Sequence, residues 1–277
     1  MNIYQALLLG IVQGLTEFLP ISSSGHLVLV PFFLKWRLSI EQAFTFDVLV
    51  QVATLVGVFA YFQSEVRQIT HAMVKGLLER KPCHDPHSRL GWMLLLATIP
   101  AGMSGLIIKP ILTQAFESPL TTAGFLLFTA LLLILSDRLS QHRRILEEVT
   151  WKDALIIGCF QVLALFPGLS RSAATIGGGL IRNLERREAA RFSFLMSIPI
   201  MMAAGLLELI DLVRLPQLPQ LLPIFIPGFL AAAVVGYLSI RWLLGYLTKN
   251  TFTIFAVYCA LLSLSTMVFF FMAQTAN

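Results

Sequence analysis

Charge is scarce in this chain. Asp, Glu, Lys and Arg make up 13% of its 277 residues, about half the share found in ordinary soluble domains. With 57% hydrophobic residues and a mean hydropathy of +0.79, a water-soluble globule is excluded and a polytopic α-helical membrane protein remains. Cysteine is scarce too. Cys83, Cys159 and Cys259 are far apart, odd in number and without metal-ligand spacing, which argues against a disulfide framework or a cysteine metal cluster. No early segment joins a basic stretch to a small-residue cleavage site, so "MNIYQALLLGIVQGLTEF" is expected to be mature sequence, not a signal peptide. The net charge of +5 does not point to nucleic acid, because the basic residues sit between apolar segments, as membrane-flanking loops do.

Six segments are long and apolar enough to cross a bilayer: 43–62, 91–109, 121–137, 192–212, 222–247 and 252–272. Two further apolar stretches are interrupted. Residues 3–34 contain Glu17, Pro20 and Ser22-Ser23-Ser24-Gly25, and residues 153–181 contain Pro167-Gly168 and Ser170-Arg171-Ser172. Each half of these stretches is too short to span, and irregular backbone survives at membrane depth only inside protein or beside water. Both are expected to be re-entrant helical hairpins. Under that topology the segments 63–90, 138–152, 182–191 and 241–251 share one side and hold most of the Lys and Arg. The opposite side keeps only Lys35, Arg37, Lys109 and Arg214. The positive-inside rule then places the basic loops in the cytoplasm and both termini outside. The cluster "RNLERREAAR" (182–191) is expected to face anionic headgroups.

A shift of 148 positions superposes the two interrupted stretches without a gap. Gly10, Gln13, Leu15, Phe18, Ser22 and Ser24 fall on Gly158, Gln161, Leu163, Phe166, Ser170 and Ser172, and Phe44, Phe46 and Gly57 fall on Phe192, Phe194 and Gly205. Each half is one hairpin followed by three spans, and an odd number of spans makes the second half enter from the opposite face. The expected fold is all-α and polytopic: six transmembrane helices plus two re-entrant hairpins in an inverted-topology repeat. The chain is read as one integral membrane domain, 1–277, with repeats at 1–137 (hairpin 3–34) and 153–272 (hairpin 153–181). The hairpin tips should then meet near the midplane.

That meeting would pool Gln13, Glu17, Ser22, Ser23, Ser24 and His26 from "QGLTEFLPISSSGH" with Ser170, Arg171, Ser172 and Thr175 from "PGLSRSAAT". Hydroxyls and helix N-terminal amides make an anion site, and the guanidinium fork of Arg171 matches phosphate oxygens. Gln13 and Glu17 lie one helical turn apart and face the same way. His26 follows the serines closely enough to act as base or proton donor. Together these groups describe phosphoryl transfer. Small and hydroxyl residues also serve close helix packing, which is the plainer use of Ser22, Gln13 and Gln161. Glu17 and Arg171 have no such use at membrane depth.

These two motifs resemble the signatures of the bacitracin-resistance-type undecaprenyl-diphosphate phosphatases. The first is a Glu or Gln, three residues, then Glu, followed by a Ser-rich turn and His; the second is Pro-Gly-x-Ser-Arg-Ser-x-x-Thr. Gln13 stands where many members have Glu, and Ser24 replaces a frequent threonine. The resemblance implies an enzyme of the bacterial cytoplasmic membrane. It would hydrolyse the C55 polyprenyl diphosphate carrier to the monophosphate for peptidoglycan synthesis, conferring bacitracin resistance. It also implies a divalent cation, Mg²⁺ or Ca²⁺, at Glu17 and Gln13, with Ser22, Ser24, Ser170, Ser172 and Thr175 binding phosphate. Glu17, Ser23, His26 and Arg171 are the expected catalytic groups. Ser23 is the favoured nucleophile, with attack by water or His26 as the alternative. The expected partners are the polyprenyl diphosphate and membrane lipids, with no nucleic acid; a homodimer is left open. A polyprenyl-phosphate flippase would share the architecture and is the rival reading.

Overall fold

A computed structural model describes residues 1–112 and 118–275, with side chains at all of these except Ile40, 108–112, Asp211 and 273–275. Lys109, counted above on the sparsely charged side, lies outside the described side chains. Ten α-helices follow in order among the described residues: α1 (Ile3–Phe18), α2 (Ser23–Phe33), α3 (Ile40–Leu78), α4 (Pro86–Leu112), α5 (Pro119–Leu139), α6 (Trp151–Leu163), α7 (Arg171–Ile181), α8 (Arg186–Val213), α9 (Leu218–Tyr246) and α10 (Thr253–Thr275). Six of them, α3, α4, α5, α8, α9 and α10, are long and apolar enough to cross a membrane. Only 22% of the most apolar window of α4, and of α9, is buried within the protein. In water that much exposed hydrocarbon would aggregate; lipid is its natural solvent. This is a multi-pass membrane protein.

The helix boundaries follow from local chemistry. Asn2 and Gln5 form a capping box at the start of α1, and Thr150 and Asp153 form one at α6. Ser118 caps α5, with Pro119 in its first turn, where a missing N–H costs nothing. Helix α1 stops at Phe18 because Pro20 disfavours helical backbone at Leu19. At 16, 11, 13 and 11 residues, α1, α2, α6 and α7 each fall short of the roughly 20 that a span needs.

One boundary differs from the sequence expectation. The apolar run ends at Phe62, and the backbone leaves helical geometry there (φ −95°, ψ 15°), yet α3 resumes and continues to Leu78. Beyond the kink, Ile69 and Met73 form an apolar stripe that packs against α4 at Gly91. Tertiary burial thus keeps a largely polar segment helical.

The packing pairs exchange between the two halves. Helix α1 packs on α9 and α6 packs on α4; α3 contacts α9 and α8 contacts α4; α3 meets α8, and α5 meets α10. Two glycines matched by the 148-residue shift serve the first of these pairs. A Cβ at Gly10 would strike the Gly228 backbone on α9, and one at Gly158 would strike the Ala97 carbonyl on α4. Small residues let helix backbones approach this closely in lipid. The matched phenylalanines Phe46 and Phe194 are also both buried, edge-on against Phe225 and Phe18 at 5.4 and 5.5 Å between ring centres.

Three arginines of the 182–191 cluster turn inward, a correction to the reading that they face headgroups. Arg182 pairs with Asp153, Arg186 with Asp137, and Arg191 with Glu65 and Glu188. Each carboxylate is more than four-fifths buried, except that of Glu65, which is 21% exposed. A buried carboxylate that recruits a guanidinium satisfies both groups.

Candidate active site

The tips of the α1–α2 and α6–α7 hairpins touch. Ser172 Oγ donates to the Leu19 carbonyl at 3.1 Å, and the Gly168 amide reaches Ser24 Oγ at 3.5 Å. Between the tips lies a pocket of about 240 Å³ lined by Glu17, Ser22, Ser23, Ser24, Ser170 and Arg171, with Gln51 of α3 on one flank. The remaining wall is apolar: Ala164, Leu169, Ile200, Met201 and Ala204.

Both short helices α2 and α7 begin at this pocket. Ser22 caps α2, its Oγ accepting from the Gly25 amide at 3.2 Å. Ser170 caps α7, its Oγ accepting from the Ala173 amide at 3.2 Å. First-turn amides have no intrahelical partner, so those of Ser23, Ser24, Arg171 and Ser172 remain to face an anion, and the helix dipoles favour negative charge there. The two turns need unusual backbone. Gly168 has φ +90°, and a Cβ on it would strike the Thr122 carbonyl of α5. Ser22 has φ +69° without being glycine, a strain of about 1–2 kcal/mol of the kind that gathers at functional sites.

Glu17 is the hub. Its Oε2 accepts from Ser23 Oγ at 2.6 Å and from Gln13 Nε2 at 3.0 Å, while Oε1 accepts from Arg171 Nη2 at 3.1 Å. The Glu17 and Arg171 side chains are 10% and 17% exposed. A pair this dry is strongly coupled, and removing either partner leaves an uncompensated charge. Arg171 Nη1 is buried and has no partner among the described residues. One arm of the guanidinium therefore orients the carboxylate, while the other is free for an incoming oxyanion.

Not every residue expected at the site reaches the pocket. Gln13 lies behind Glu17, with Oε1 buried and unpartnered. Ser172 Oγ bonds Ser170 Oγ and the Leu19 carbonyl, stitching the hairpins together. Thr175 lies a turn deeper, bonded to the Arg171 carbonyl at 2.9 Å and to Ser193 Oγ of α8 at 2.6 Å. His26 bonds none of the serine hydroxyls. Its Nδ1 is 2.7 Å from the Ser22 carbonyl and its Nε2 is 2.7 Å from the Tyr258 hydroxyl on α10. Sequence reasoning missed Gln51 and Tyr258. Gln51 had a signal, a polar side chain in mid-span four residues after Asp47; Tyr258 had none. Among the described residues no three His, Cys, Asp or Glu side chains gather as a metal cluster.

Six apolar spans around a pocket that sets a serine against a carboxylate, under a half-free arginine, define a membrane protein with a site for an anionic substrate. The chain belongs to the family described as "Bacitracin resistance protein BacA", whose model matches residues 6–265. It is 42% identical over 267 residues to a protein of Chlorobium phaeovibrioides named "Undecaprenyl-diphosphatase", covering 93% of each chain. Proteins of the same name from Chlorobaculum tepidum and Myxococcus xanthus are 39% and 38% identical, covering 97% and 93% of this chain and 97% and 86% of theirs.

Proposed function

We propose that this chain hydrolyses undecaprenyl diphosphate to undecaprenyl phosphate and inorganic phosphate. It thereby recycles the lipid carrier for peptidoglycan synthesis and confers bacitracin resistance. One observation carries the chemistry: Ser23 Oγ donates to Glu17 Oε2 at 2.6 Å while Arg171 holds the other carboxylate oxygen. That is a hydroxyl beside a base whose orientation is fixed by a third group, the arrangement of an activated nucleophile.

The diphosphate lies between the helix N-termini, its terminal phosphate against Arg171 Nη1 and the free amides, with Ser22, Ser24 and Ser170 around it. The lipid tail leaves along the apolar wall of Ile200, Met201 and Ala204. Ser23 Oγ attacks the terminal phosphorus as its proton passes to Glu17. The bond from that phosphorus to the bridging oxygen breaks, and undecaprenyl phosphate departs. Glu17 passes that proton to the departing phosphate and is ionised again. Water then attacks the phosphoserine as its proton passes to Glu17, the bond from phosphorus to Ser23 Oγ breaks, inorganic phosphate leaves, and Glu17 returns the proton to Ser23 Oγ. Arg171 and the amides stabilise the charge that builds on the equatorial oxygens. Ser172 and Thr175 act from behind, holding the turn that carries Arg171.

A divalent cation, Mg²⁺ or Ca²⁺, would be held in the pocket by the Glu17 carboxylate together with substrate oxygens, since Mg²⁺ commonly binds through one or two carboxylates plus phosphate. Gln13, whose Nε2 donates to that carboxylate at 3.0 Å, would orient it from behind. When bound, the cation neutralises charge on the diphosphate.

The same reading makes the hairpins re-entrant and the halves an inverted-topology repeat, supported by the exchanged packing pairs and by Gly10 and Gly158. It sets the protein in the bacterial cytoplasmic membrane with basic loops inside and termini outside. A lipid-phosphate flippase draws no support, because a carrier has no need for a serine poised on a carboxylate.

The test is acid quench during turnover, followed by mass spectrometry of the peptide containing Ser23. A phosphoserine at Ser23 in the wild type, absent in Ser23→Ala, is the expected result. Full activity in Ser23→Ala would sink the nucleophile and leave direct attack by water.

A further inference from the structure

The histidine of the first motif does not reach the reacting groups, and its two contacts say what it does instead. A carbonyl oxygen only accepts, so the 2.7 Å contact from Nδ1 to Ser22 requires the proton on Nδ1. In the neutral ring Nε2 is then an acceptor, and the Tyr258 hydroxyl 2.7 Å away donates to it. His26 is 6% exposed, and the Tyr258 ring lies parallel to the imidazole, 4° between planes and 5.6 Å between centres. Both ring nitrogens are committed, and neither commitment involves Ser23 or Glu17.

The atom that His26 grips belongs to Ser22, the residue with the left-handed backbone. Ser22 immediately precedes Ser23, so its dihedral angles set where Ser23 Oγ points. Its carbonyl also accepts from the His26 amide at 3.2 Å. Helix α10 holds the same turn at a second point, where Cys259 Sγ sits 3.8 Å from the Pro20 carbonyl.

We propose that Tyr258 is a positioning residue for the reaction: it fixes the Nδ1–H tautomer of His26, which clamps the strained Ser22 turn and aims Ser23 at Glu17. His26 on this account transfers no proton to or from substrate. The proposal rests on the reading of Ser23 as the reacting hydroxyl.

The test uses the full chain in detergent, with phosphate release from undecaprenyl diphosphate and the thermal midpoint measured for each variant. Asn can place an N–H near the position of Nδ1 but has no basicity, so His26→Asn should keep activity within about tenfold of wild type while His26→Ala loses about a hundredfold. Tyr258→Phe should lower kcat about tenfold with KM within about twofold, the loss of one oriented hydrogen bond. His26→Asn as inactive as His26→Ala, with both folded, overturns the proposal in favour of proton transfer. An unchanged kcat in Tyr258→Phe overturns it as well, whether or not the thermal midpoint falls. Ser23→Ala in the same assay separates the two readings. Activity there removes the nucleophile and this proposal together; inactivity there beside a normal Tyr258→Phe removes only the positioning role.

Discussion

The two hairpins share a pattern of Gly, Gln and Ser at matched positions, yet they are built to different standards of rigidity. In the second, every residue of α7 from Ser172 to Leu180 is buried, and Gly178 and Gly179 sit against α6 and α8 with little room for a Cβ. Its base is locked. Asp153, fully buried, accepts from Arg144, Arg182 and Thr150. Burial alone would raise its carboxyl, but these hydrogen bonds outweigh burial and hold it well below the usual carboxylate range. The first hairpin buries only Gly25, His26 and Leu29 along α2; its turn carries the strained Ser22, whose carbonyl meets His26, the ring that bonds Tyr258, and Cys259 lies against Pro20. On the proposed mechanism the rigid hairpin supplies fixed positive charge from Arg171 and helix amides, and the looser one supplies Ser23 and Glu17, the groups that would form and break bonds. Electrostatic stabilisation works best when it need not reorganise, whereas a nucleophile must shift as its bond forms.

Substitutions in each hairpin can break this contrast. Arg171→Ala should cost most, about 10³-fold or more in kcat/KM, on the scale of arginines that stabilise phosphoryl transfer. Arg171→Lys should recover only part of that, because a point charge cannot hold Glu17 and a phosphate oxygen with one planar fork. In the first hairpin, Glu17→Gln should cost about 10²–10³-fold, removing the base and leaving Arg171 unpaired. A kcat within tenfold of wild type for either would undo the division of roles. Asp153→Asn should leave activity per folded molecule within about threefold, being remote from the chemistry, while destabilising the protein by about 1.5–3 kcal/mol through its charged hydrogen bonds. Because the Asp153 carboxyl is depressed on folding, that contribution is complete above its ordinary value of 3.8 and is lost only as pH falls through the lower folded value. Wild-type stability from this clamp should therefore be flat from about pH 5 to 8, as a thermal-shift series would show. Smallest is Thr175→Val, with a loss of about 1 kcal/mol and activity within about fivefold, since its hydroxyl faces Ser193 rather than the pocket.

Much of this was legible in the sequence for physical reasons. Lipid enforces long apolar runs, so the six spans announce themselves, and Pro20, Pro167 and Gly168 mark where two runs fail. Glu17 and Arg171 stood out because a charged side chain in an interrupted apolar stretch has no packing use, although their pairing is seen only in the structure. What was not legible depends on side-chain direction. Spacing places His26 near the serines but does not say that its ring turns to α10, and Tyr258 is one aromatic in an apolar span. The arginines of 182–191 read as a surface cluster because their acidic partners Asp137, Asp153 and Glu65 lie far off in sequence. Helix α3 past Phe62 looked like a loop because its burial comes from α4, which no local pattern reports.

Phosphate release from undecaprenyl diphosphate by the purified, detergent-solubilised chain with Mg²⁺, run beside Arg171→Ala, tests the central claim most directly. Release by the wild type and almost none by a folded Arg171→Ala is the outcome required of a diphosphatase whose clamp is Arg171. No release from well-folded wild type would contradict the account and make this pocket a carrier's binding site.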